Sequence, residues 1–137
     1  MPVVNELIRS EVDETISFGN YKLDAKSKVA DFEHCGDSYK VKTFKEITKL
    51  ERNGLFVYES VPGTAVNNMK LTEKGVEFTV SGDDDAQIAL ELEESAEYEI
   101  LLNGENAGKM KTNLGGKLIL SVALSEINAV KVVVVKM

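Results

Sequence analysis

An antiparallel β-sandwich of about ten strands is the fold class this sequence predicts, and three observations carry it. Five stretches of the second half alternate apolar and polar residues with period two: Val76, Phe78 and Val80; Ile88, Leu90 and Leu92; Tyr98, Ile100 and Leu102; Leu118, Leu120, Val122 and Leu124; and Val130, Val132 and Val134. Successive side chains on a strand point to opposite faces, so each set lines one face of a sheet and has to be covered by another layer. Glycine- and asparagine-rich turn chemistry separates these stretches. Turn signals recur roughly every 8 to 12 residues, the spacing of a sandwich or barrel.

The first half alternates less cleanly. Asn5 to Arg9 and Thr15 to Phe18 read as two short strands around the acidic turn Glu11 to Glu14, a hairpin that residues 1–20 append to the sandwich. Lys28 to His34 and Ser38 to Phe44 read as a second pair, turning at Gly36-Asp37. Residues 43–54 admit two readings. Thr43 with Glu46 has the form of a capping box, and Phe44, Ile47 and Leu50 recur near helical spacing, which gives a short helix near residues 44–52. Asn53-Gly54 is instead the strongest short hairpin signal, leading into the β-prone Leu55-Phe56-Val57-Tyr58. The hairpin is preferred, because threonines are poor helix formers. Pro62-Gly63 reads as a type II turn, Asn103-Gly104 as a further hairpin turn and Gly115-Gly116 as a tight reversal.

One domain suffices for 137 residues, since a chain of this size buries roughly 68% of its unfolded surface. Cys35 is the only cysteine and cannot form an intramolecular bridge, which argues against a disulfide-stapled secreted scaffold. Asn5, Glu6 and Arg9 interrupt the N-terminus before any apolar run fit for a signal peptide, and no stretch approaches the ~20 apolar residues of a membrane span. A cytoplasmic location is therefore expected, with no membrane partner. The net charge of −7 disfavours nucleic acid, which demands a basic stripe. Lys40, Lys42, Lys45, Lys49 and Arg52 do cluster, and the expectation for them is a solvated face diluted by Glu46 and Glu51.

Two passages carry a likeness to known proteins: Tyr39 to Thr43 running into Phe56 to Val66 (FVYESVPGTAV), and Gly108 to Leu118 (GKMKTNLGGKL). They resemble a family of small bacterial proteins of similar length often labelled "endosialidase", over nearly the whole chain. The stretch Glu97 to Met137 is also similar to the β-sandwich modules appended to polysaccharide-degrading enzymes. The first resemblance implies action on sialic-acid-type sugars and the second a carbohydrate-binding module. Enzymes that cleave sialic acid grip its carboxylate with a cluster of three arginines. Arg9 and Arg52 are the only two here, and there is no tryptophan and too little chain for a propeller.

The residue-level candidates follow from side-chain chemistry. Tyr58, Tyr39 and Arg52 form the ligand-binding set, with Tyr58 the aromatic expected to be exposed because Leu55 and Val57 would take the core. Asp83, Asp84 and Asp85 are the candidate metal ligands, since calcium wants six to eight oxygens, although a solvated turn is the preferred reading. His34 and Cys35 would project to opposite faces as strand neighbours, giving an exposed histidine beside a small buried thiol and no catalytic dyad. Glu91, Glu93, Glu97 and Glu99 read as a charged outer face. Val132 to Val135 make both faces of one strand apolar, so Val133 and Val135 are interface candidates for a homo-oligomer. The function expected is non-enzymatic binding or self-assembly, with no cofactor. A carbohydrate-binding module and, less favoured, an enzyme acting on sialic-acid-type sugars are the alternatives.

Overall fold

A computed structural model describes residues 3–137. Those residues form thirteen strands and no helix: β1 (Ile8–Ser10), β2 (Ile16–Phe18), β3 (Ser27–His34), β4 (Asp37–Phe44), β5 (Ile47–Arg52), β6 (Leu55–Val61), β7 (Ala65–Thr72), β8 (Gly75–Ser81), β9 (Ala86–Glu91), β10 (Glu97–Leu102), β11 (Glu105–Lys111), β12 (Lys117–Val122) and β13 (Val130–Lys136). They build two antiparallel sheets. One has the order β1-β2-β7-β8-β13-β10-β11 and the other β12-β9-β6-β5-β4-β3.

The core lies between the sheets. Val76, Phe78 and Val80 on β8, Ile88 and Leu90 on β9, Leu118, Leu120 and Val122 on β12, and Val130, Val132 and Val134 on β13 are all buried as the alternation requires. Leu92 and Leu102, the last of their sets, are only partly buried at the margin. The β1–β2 hairpin pairs with β7 and places Ile8, Ile16 and Phe18 in this same core. The β1–β2 hairpin thus adds two strands to the edge of one sheet.

Four local readings are corrected. Residues 43–54 contain no helix, because Phe44↔Ile47 closes a two-residue turn and β5 alternates Thr48 and Leu50 inward. The first long hairpin turns at Cys35-Gly36, one residue earlier than expected, with His34 opposite Asp37 and both turn residues at positive φ. The thiol of Cys35 is consequently exposed, not buried. Pro62-Gly63 is not a type II turn: the Val61–Pro62 bond is cis and Gly63 does not take positive φ. Glycine is needed at 63 because an added Cβ would lie 2.0 Å from the Phe44 carbonyl oxygen.

Both Asn-Gly hairpins are as expected. Arg52↔Leu55 and Leu102↔Glu105 leave two-residue loops, and Asn53, Gly54, Asn103 and Gly104 all adopt positive φ. A β-branched residue resists that conformation. Gly104→Val is therefore expected to destabilise the protein by more than about 1 kcal/mol, read as a lower urea midpoint. Since nothing lies within 4 Å of a Cβ at 104, the loss would come from backbone strain and not from a clash.

Candidate functional site

One end of the sandwich carries the turns at 53–54 and 73–74 and the two sheet-to-sheet connections 92–96 and 112–116. These segments leave a cleft of about 860 Å³ between the sheets. Arg52 and Phe56 contribute one wall, Leu71 and Glu73 face them from the other sheet, and Glu91, Leu92, Glu93 and Glu94 close the side above Tyr98.

The connection 92–96 is held rigidly. The Glu93 N–H donates to the Tyr98 hydroxyl at 3.1 Å, and the Thr112 hydroxyl donates to the Glu93 carbonyl at 2.6 Å. The Leu92 N–H reaches the Gly116 carbonyl at 2.7 Å. Gly116 has φ +79°, and a Cβ there would sit 2.3 Å from the Leu92 carbonyl oxygen, so this corner tolerates no side chain. The Glu93 side chain pairs with Lys136, whose ammonium is held above its ordinary pKa by that hydrogen bond. Arg52 has no carboxylate within 4.0 Å among the described residues, and its guanidinium lies beside the Tyr39 hydroxyl.

The expected ligand-binding residues separate. Tyr39 and Arg52 stand directly opposite each other on β4 and β5. Burial pushes the Tyr39 phenol above its ordinary pKa, and the guanidinium beside it partly offsets that rise. Tyr58 is 0% exposed, which overturns its expected place at the surface. The cause is a bulge in β6: Glu51 pairs with Phe56 but Leu50 with Tyr58, so Val57 is the extra residue and parity reverses. Leu55 becomes 68% exposed, while Tyr58 turns inward to meet Phe18 and Phe78 edge-on. Burial drives its phenol strongly upward in pKa. Phe56, which the sequence did not mark as a site residue, lines the cleft together with Tyr98, and Lys117 Nζ lies 5.7 Å from the Phe56 ring centroid.

Asp83, Asp84 and Asp85 lie in the β8–β9 connection, away from this cleft. Asp83 accepts from Lys22 Nζ at 2.9 and 3.2 Å, and Asp85 accepts the Leu124 N–H at 3.1 Å. Among the described residues no three His, Cys, Asp or Glu groups converge as a metal site. Val133 and Val135 occupy the outer face of their sheet: Val133 is partly buried opposite Leu101 and Glu77, and Val135 is 37% exposed.

His34 closes a separate cluster near β1. Its Nε2 is 2.8 Å from the Glu14 carbonyl, which can only accept, so Nε2 carries the proton. In the neutral ring Nδ1 is then the acceptor for the Ser10 hydroxyl at 2.7 Å. Both ring nitrogens are thereby engaged in fastening the β1–β2 hairpin to β3. Cys35 Sγ lies 3.5 Å from Nε2, close because a turn, not a strand, joins the two residues.

No family model, no curated protein and no solved structure matches this chain. No helix among the described residues is long and apolar enough to cross a membrane.

Proposed function

We propose that this chain is a non-enzymatic β-sandwich binding protein whose end cleft takes a neutral, polyhydroxylated ligand such as a short saccharide. The observation that carries the reading is the composition of the cleft: one guanidinium with no carboxylate partner and a rim of exposed carboxylates around Leu71, Leu92 and Phe56. Its volume falls in the range of small-molecule sites, roughly 300–1,000 Å³. Sugar hydroxyls donate to carboxylates and accept from a guanidinium, while apolar side chains cover the ring faces. Four glutamates against one arginine would repel an anionic sugar, which speaks against sialic acid as the ligand.

Titration calorimetry against neutral oligosaccharides tests this. Binding is expected, weakened about tenfold or more in Arg52→Ala, as loss of a charge-assisted hydrogen bond of ~1.5–3 kcal/mol implies. No sialic acid should be released from model substrates. Equal affinity of the parent and Arg52→Ala would remove this cleft as the site, and turnover would remove the non-enzymatic reading.

A specific observation also favours self-assembly. Strand β12 is a sheet edge that pairs with β9 without a register shift, and Ile119 on its outer face is 47% exposed. Flat edges of this kind are templates for another copy.

A further inference from the structure

The outer face of the second sheet carries an arrangement that the cleft does not explain. Lys28 on β3 stands directly opposite Lys42 on β4, and Lys42 directly opposite Lys49 on β5. Lys40 lies two residues from Lys42 on the same face of β4, opposite Glu51. Like charges placed opposite one another across strands repel, and such rows are ordinarily broken by alternating sign. Three lysines in one unbroken cross-strand row are the more unusual in a chain of net charge −7.

These charges are also left open. Lys22, Lys45 and Lys136 each pair with a carboxylate, but Lys28, Lys40, Lys42 and Lys49 have none within 4.0 Å among the described residues. The four surround a shared concavity of about 60 Å³, with Glu51 as its only acidic member. Glu59 on β6 stands directly opposite Lys49 and ends the row, so the local charge is +2, from four lysines less two glutamates. The concavity is small beside the end cleft of about 860 Å³, so its charge rather than its shape would select a ligand. Neighbouring strands lie ~4.8 Å apart, so the row spreads its lysine stems over about 10 Å. Ammonium groups on flexible stems act as point charges that several closely spaced anionic groups can share.

We propose that this lysine row is a binding site for a compact polyanion, a free oligophosphate, independent of the ligand in the end cleft. One phosphate group would sit in the concavity between Lys40, Lys42 and Lys49, and the next would extend along the row to Lys28. The acidic remainder of the surface repels extended polyanions, which restricts binding to a ligand short enough to stay on this face.

Calorimetry at low ionic strength with tripolyphosphate as the probe tests it, with the parent and the double variant Lys42→Gln/Lys49→Gln. The parent is expected to bind tripolyphosphate at least tenfold more tightly than orthophosphate, and the double variant to lose at least tenfold while melting no lower than the parent without ligand. The Arg52→Ala protein should bind tripolyphosphate as the parent does, which separates this site from the cleft. Failure of the parent to bind, or equal binding by the double variant, would overturn the proposal. Binding to vesicles carrying phosphorylated inositol headgroups without binding to tripolyphosphate would overturn it equally, because the site would then read a membrane surface.

Discussion

Val132→Lys is expected to abolish the folded state, whereas Val133→Lys, one residue along, leaves it intact. Val132 is 0% exposed and sits between Phe78 on β8 and Leu102 on β10, with no carboxylate on that inner face of the ladder. An unpaired buried ammonium costs several kcal/mol against a total stability of about 5 to 15. Near-ultraviolet circular dichroism should accordingly show lost tertiary structure. Val133 points to the other side, opposite Glu77 and Leu101, where a lysine could reach water or the Glu77 carboxylate. If copies of the chain associate through this face, Val133→Lys should halve the mass seen by light scattering or reduce it further. A parent particle with the radius of gyration of a compact monomer, about 14 Å, would remove self-assembly altogether.

The second large effect is expected at Thr48, the centre of a buried hydroxyl network. Its hydroxyl donates to the Thr64 carbonyl at 2.8 Å and accepts the Thr64 N–H at 3.0 Å. The Thr43 hydroxyl, 2.8 Å away, must then be a donor to Thr48, and itself accepts the Asn20 N–H at 2.9 Å. The Thr64 hydroxyl in turn meets Tyr58 at 2.7 Å and Ser60 at 2.7 Å. Thr48→Val keeps the shape but strands a donor, an acceptor and a hydroxyl in the interior at ~1–3 kcal/mol each. The expected loss is about 3 kcal/mol or more, measured by urea unfolding. Thr48→Ser retains the hydroxyl and should recover most of it. A valine variant as stable as the parent would show that water enters and satisfies these groups.

Much of this fold could be read in advance where local chemistry is decisive. Asn53-Gly54 and Asn103-Gly104 announced their hairpins because few other dipeptides accept two successive positive φ values. The alternating sets on β8, β9, β12 and β13 needed only the period-two rule. Two strands carry no clear alternating set of their own, for opposite reasons, although the Asn103-Gly104 turn announces the second strand of its hairpin. β11 is an edge strand with nearly every residue exposed, so it has no apolar face to betray it. β7 has one, but a register shift between Asn67 and Lys70, with Asn68 at φ +57°, interrupts its alternation.

The candidate site was harder to see. The sequence points to Arg52, yet Glu73 and Glu91 reach its cleft from β7–β8 and β9, and strand order is set by packing that no local pattern records. Tyr58 defeats the period-two rule because the bulge at Val57 carries no glycine and no polar residue to mark it. The lysine row was visible only in part. Lys40 and Lys42 share a face by spacing alone, whereas Lys28 and Lys49 join them only through the registers of two separate pairings.

The position of β13 bears on how the molecule is made. This strand, residues 130–136, runs between β8 and β10 and so joins the two parts of its sheet. Until it has been synthesised, β1-β2-β7-β8 and β10-β11 share no ladder. A nascent chain that has passed residue 102 but not yet reached residue 130 therefore carries two unmated strand borders, on β8 and β10. Synthesis proceeds at ≈ 5–20 residues per second and incompletely paired strands are the aggregation-prone species of folding. Closure of this sheet therefore waits for β13, and loss of that strand would divide the sheet instead of trimming its edge.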